Sequence, residues 1–117
     1  MALAASVTKH WDDGKVLHVL GTITASGSYT TDGDTLSLVN AVIKSASVPL
    51  LVSVTGKAGY TYVFVPGTTQ ANGKLLVLYC DYTAAAAGPL IQIPQAAYPA
   101  GVTGDTINFY ALFKKLR

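Results

Sequence analysis

A chain of 117 residues with a net charge of +2, half of it hydrophobic and only 12% of it charged, fits one domain over 1–117 with its own core, and it falls well below the roughly 25% charge of an average soluble domain. So small a net charge gives no reason to expect direct contact with nucleic acid, and the longest strongly apolar stretch, residues 75–80, is far shorter than the roughly 20 residues that cross a bilayer. The opening Met1-Ala2-Leu3-Ala4-Ala5 has no basic segment and no long apolar run, so no secretion signal is expected.

In chain order, Ala5 to Trp11 alternates Val7, Lys9 and Trp11 against Ser6, Thr8 and His10, the period of a strand. Asp12-Asp13-Gly14 then supplies turn residues, and a second strand is expected from Lys15 to Thr24, completing a hairpin. Residues 25–34, small, polar and rich in Gly and Ser, read as a long exposed loop with a tight turn at Thr31-Asp32-Gly33-Asp34. Residues 36–46 combine a helical spacing of Leu36, Val39 and Ile43 with β-branched side chains, and are assigned as strand plus loop.

Strands are expected at Leu50 to Thr55 and at Tyr60 to Val65, the latter stopped by Pro66-Gly67. Asn72-Gly73 signals a turn before a strand from Lys74 to Tyr82. A short strand at Leu90 to Ile93, a loop from Tyr98 to Gly104 and a last strand from Asp105 to Lys115 complete the chain. Eight or nine strands without a long helix predict an all-β, antiparallel sandwich, jelly roll or barrel.

Several of these strands do not alternate cleanly: Tyr60 to Val65 is apolar on both faces, and Asp105 to Lys115 opposes an apolar face with a mixed one. Tyr60, Tyr62 and Phe64 oppose Thr61, Val63 and Val65, while Ile107, Phe109, Ala111 and Phe113 oppose Asn108, Tyr110, Leu112 and Lys114. One sandwich core accepts one face of each strand, so the second face calls for a loop, a second copy or a larger partner. Association is the economical expectation; cover by residues 36–46 and the long loops is the alternative.

The chemistry-bearing residues form no recognisable reaction centre in sequence. All six acidic residues are aspartates; Asp12, Asp13, Asp32, Asp34 and Asp105 stand where turns are expected, and Asp81 closes a strand. His10 and His18 flank the first turn: a two-residue Asp13-Gly14 turn puts them on opposite faces, a three-residue Asp12-Asp13-Gly14 loop on one. No third ligand stands beside them, so no metal is expected. Thr31 to Thr35 lacks the closing Glu of a calcium loop, no Gly-x-Ser-x-Gly elbow or phosphate-binding glycine loop occurs, and Cys80, the single cysteine, reads as a buried thiol. The expectation is a non-enzyme without cofactors.

The segments Trp11-Asp12-Asp13-Gly14-Lys15, Val19-Leu20-Gly21-Thr22-Ile23 and the ending from Ala97-Tyr98-Pro99-Ala100-Gly101 through Asp105-Thr106-Ile107-Asn108-Phe109-Tyr110 to Lys115 resemble small virion proteins of tailed bacteriophages, among them head decoration, or cement, proteins. The resemblance implies a β-sandwich or jelly-roll module made in the host cytoplasm and carried on the capsid exterior. It also implies a homo-oligomer, a trimer being favoured, bound to the major capsid protein. The residues expected at the oligomer or capsid interface are Tyr60, Tyr62, Phe64, Tyr110, Leu112, Lys114, Lys115 and Arg117. Two other readings of the same chain are a glycan- or receptor-binding module of a phage fibre, with Trp11 and exposed tyrosines as stacking platforms, and a head-tail connector or tail-completion protein.

Overall fold

The alternating β-branched and aromatic residues fold as their period demands. A computed structural model describes residues 3–39, 48–79 and 91–114. It contains eight strands, β1 (Leu3–Asp12), β2 (Val16–Ala25), β3 (Asp34–Leu36), β4 (Leu51–Thr55), β5 (Thr61–Val65), β6 (Gly73–Tyr79), β7 (Ile91–Gln92) and β8 (Ile107–Lys114), with one helical turn, α1 (Ala100–Thr103). All pairings are antiparallel. One sheet has the order β1-β2-β8-β4, and the other β3-β6-β5 with β7 also on β6. The expected all-β sandwich is the observed architecture, with two separate sheets in place of a closed barrel.

The first hairpin turns one residue later than the sequence suggested. Asp12 pairs with Leu17 and Trp11 with His18, so Gly14 and Lys15 are the central residues of the turn. Gly14 has φ +94 and the following residue does not, as a type II′ turn requires of its first central residue. Asp13 fastens that turn, its Oδ1 accepting the N–H groups of Lys15 at 3.1 Å and Val16 at 2.9 Å. Further along, a bulge at Thr8 shifts the register between Val7 and Lys9. It leaves Leu3, Ala5 and Val7 facing the core while Lys9 and Trp11 face outward, because one extra residue inverts the alternation.

The core is the inner face of each sheet. On the first sheet Leu17, Val19 and Ile23 stand beside Ile107, Phe109, Ala111 and Phe113, all buried, and Leu36, Tyr62, Leu75 and Val77 line the second. Burying each large side chain of this set supplies about 1.5–3 kcal/mol. Gly21 sits between its two neighbours in the first sheet, β1 and β8: a Cβ there would lie 2.2 Å from the Ser6 carbonyl oxygen and 2.6 Å from the Phe109 ring.

Two expectations change at the loops, and one holds. The Gly/Ser-rich segment after β2 is not wholly exposed, since Tyr29 is fully buried and its N–H donates to the Ala96 carbonyl at 2.8 Å. The turn expected at Asn72-Gly73 stands directly before β6, which Gly73 opens, and Asn72 Oδ1 accepts the Thr68 and Thr69 N–H groups at 2.9 and 2.8 Å, closing the loop from β5. The expected loop from Tyr98 contains α1 and buries both Tyr98 and Val102. Of residues 36–46, Leu36 ends β3 and Leu38 is buried, while 40–47 lie outside the described residues, as do Cys80, Asp81, Lys115 and Arg117.

Candidate functional site

The turn chemistry expected of the aspartates is largely what they do, with tyrosines as their partners. Asp105 Oδ1 accepts the N–H of Lys57 at 2.8 Å and that of Ala58 at 3.2 Å, and its Oδ2 accepts the Tyr62 hydroxyl at 2.7 Å. The Tyr98 hydroxyl donates to Asp34, and that of Tyr29 donates to Gln92 Oε1 at 2.5 Å. Gln92 Oε1 also takes the Asp32 N–H at 2.8 Å, at a position where Asp32 has φ +72. These bonds close the ends of the sandwich: each lets a buried ring keep its polar tip satisfied.

One cluster is different, because it stands on the outward face. His18 on β2 lies between Trp11 of β1 and Tyr110 of β8, with ring centroids 5.0 Å from Trp11 at an interplanar angle of 4°, and 5.9 Å from Tyr110 at 19°. Its Nε2 is 3.2 Å from Asp13 Oδ2 and its Nδ1 is 2.5 Å from the Tyr110 hydroxyl. The Asp13 carboxyl is held down at about 2 by the Val16 N–H, then by the His18 ring and the Lys15 N–H, so near neutral pH it only accepts. That assigns a hydrogen to Nε2, which donates to Asp13, while Nδ1 shares its hydrogen bond with the Tyr110 hydroxyl. A carboxylate, an imidazole and a phenol are thus joined in line, with an indole stacked against the imidazole.

His10 does not join them. It pairs with Val19 while His18 pairs with Trp11, so the two histidines occupy opposite faces, as in the two-residue alternative although in a different register. Among the described residues no three His, Cys, Asp or Glu side chains converge as a metal would require.

The expected interface residues fall into separate environments. Tyr62 is buried, and Tyr60 and Phe64 pack against the core, so this face of β5 is spent inside the protomer. The outward face is the other one, Val63 and Val65. Tyr110 is captured by His18. Leu112 pairs with Leu51 on the outer face, and Lys114 with Val16. What sequence reasoning missed is the β4–β5 side of the sandwich, where Leu50 and Leu51 are 61% and 53% exposed and Val63 and Val65 are 39% and 43%. Pro49, Leu50, Leu51, Val52, Phe64 and Pro66 frame an apolar notch of about 160 Å³ there. The doubly apolar strands were the available signal, but period-2 alternation cannot say which face turns inward.

Compared with known protein families, with characterised proteins and with solved structures, the chain finds no match.

Proposed function

We propose that the chain is a structural virion protein of the head decoration type, which associates with copies of itself and seats on an assembled phage shell. The reading starts from the resemblance of its opening and closing segments to small phage virion proteins. The observation that supports it most is the β4–β5 side. Leu50 and Leu51 by β4 and Val63 and Val65 on the outer face of β5 are exposed, and an apolar notch lies between the two strands, in a chain that is only 12% charged; such surface favours cover by another protein. Both β4 and β5 are outermost strands in their sheets among the described residues, so backbone edges as well as side chains are presented there.

A protein of this kind works by linkage: it binds the assembled lattice and not separate subunits, so each bound copy adds its binding free energy to the assembled state. The test is to add purified protein to expanded, undecorated shells and measure occupancy, with mass by light scattering alongside. Saturable occupancy by a discrete oligomer, a trimer being expected, is the supporting result. No occupancy on such shells removes the proposal, and a monomer at high concentration removes the self-association.

A further inference from the structure

Lys9, Trp11 and Asp13 occupy alternate positions along the outer face at the β1 edge, since Lys9 pairs with Leu20 and Trp11 with His18, and Asp13 reaches His18 from the same side. At strand rise, successive members are about 7 Å apart. The order is an ammonium donor, a flat indole and a carboxylate acceptor. One face of the indole is stacked on His18, and the side chain is still 42% exposed. The imidazole cannot turn away, because Asp13 holds one nitrogen and Tyr110 the other. The indole is therefore fixed before any ligand arrives, and little ordering entropy is left to lose on binding.

We propose that this row is a carbohydrate-binding site for a pyranose with equatorial hydroxyls. The apolar C–H face of the sugar stacks on the free face of Trp11, and ring-edge hydroxyls reach Lys9 on one side and Asp13 on the other. A sugar hydroxyl both donates and accepts, which matches a platform flanked by one donor and one acceptor. Asp13 has acceptor capacity left at Oδ2, its side chain being 54% exposed. Other flat or cationic ligands fit less well. A nucleotide would bring its phosphates beside the Asp13 carboxylate, and a quaternary ammonium group needs a cage of rings where only one ring face is open. The site lies at the β1 edge of its sheet, opposite β4, so it can be occupied while the β4–β5 side is covered.

Trp11 is the chain's single tryptophan beside seven tyrosines, so fluorescence excited selectively at the indole reports on this site. Cellotriose and chitotriose are the probes, titrated into the full chain. The expected result is a saturable spectral shift with half-saturation at roughly 0.1–1 mM, the range open to one stacked ring with two hydrogen bonds. By calorimetry, Trp11→Ala should abolish binding, Lys9→Met should weaken it at least about threefold, and Tyr110→Phe should weaken it by freeing His18. Trp11→Phe substitutes if the alanine variant loses its native circular dichroism. No shift with either trisaccharide overturns the proposal, as does unchanged affinity in the Trp11 variant. A shift that follows protein concentration without sugar also overturns it, since Trp11 would then be covered by a second copy.

Discussion

Tyr62 donates its hydroxyl to Asp105 at 2.7 Å, tying the inner face of β5 to the turn that leads into β8. Asp105 also receives the N–H groups of Lys57 and Ala58, so one carboxylate organises the connection between β4 and β5 and anchors a core tyrosine. The two layers meet through this residue at one end of the sandwich. Asp105→Ala should cost about 2–3 kcal/mol in urea unfolding, because three donors lose their acceptor together, while Tyr62→Phe should cost only about 1 kcal/mol. Equal losses would mean that the tyrosine bond alone carries the effect.

The same bonds set a pH profile. Desolvation works to raise the Asp105 carboxyl, but the Lys57 N–H, the Tyr62 hydroxyl and the Ala58 and Thr106 N–H groups outweigh it and leave it lowered, and Asp13 lies at about 2. Carboxyls depressed on folding contribute stability that is present above the unfolded value of 3.8 and is lost as pH falls through their folded values. Tyr62 and Tyr98 are shifted upward from 10.0, first by burial and then by their bonds to Asp105 and Asp34. Their contribution is full below pH 10.0 and is lost as pH rises beyond it. Melting temperature should therefore be flat between the two limits and fall on both sides. Asp105→Asn should flatten the acid limb and Tyr62→Phe the alkaline one; a variant with an unchanged limb would show that its group does not set it.

Gly21 tests how tightly β1, β2 and β8 pack within the first sheet. A Cβ at this position meets the Ser6 carbonyl oxygen, which is backbone and cannot turn aside, as well as the Phe109 ring. Gly21→Ala should destabilise by about 1–3 kcal/mol, the usual cost of overpacking. Adding Phe109→Leu should recover only part of that loss, because the contact with Ser6 remains. Full recovery would place the whole strain at the ring.

The strands were legible where one face is wholly apolar and the other carries polar residues. Ile107 to Phe113 shows its core face directly, and β8 buries that set. In β5 both faces are apolar by type, and the inward one carries Tyr62, whose hydroxyl meets Asp105 43 residues away, a partner with no local sign in the sequence. The His18 cluster was hidden for a related reason. Its partners come from three strands, and Trp11 reaches His18 only in the register that a Gly14-Lys15 turn imposes. An aspartate that caps the N–H groups of the next residues, followed by a glycine able to take positive φ, is the local cue for that turn; Asp12-Asp13-Gly14 offers it in two adjacent frames. Tyr29 was missed because a Gly/Ser-rich neighbourhood outweighs one aromatic in a composition-based reading, although that ring is what the segment buries.

The β4–β5 side makes the remaining prediction. Leu51 and Val65 are more than 40% exposed, so replacing either by aspartate removes little from the core of a lone protomer, and unfolding free energy should move by no more than about 0.5 kcal/mol. If another surface covers these side chains, the same change places a charge in a desolvated contact, which costs far more than on an open surface. Leu51→Asp and Val65→Asp should therefore shift the light-scattering mass toward the monomer and lower shell occupancy, while Thr61→Asp, on the same outer face of β5 but at its far end, should do neither. Loss of association with Thr61→Asp alone would move the contact along β5 toward the Gly56–Tyr60 connection, and an unaltered mass in all three variants would leave this flank facing water.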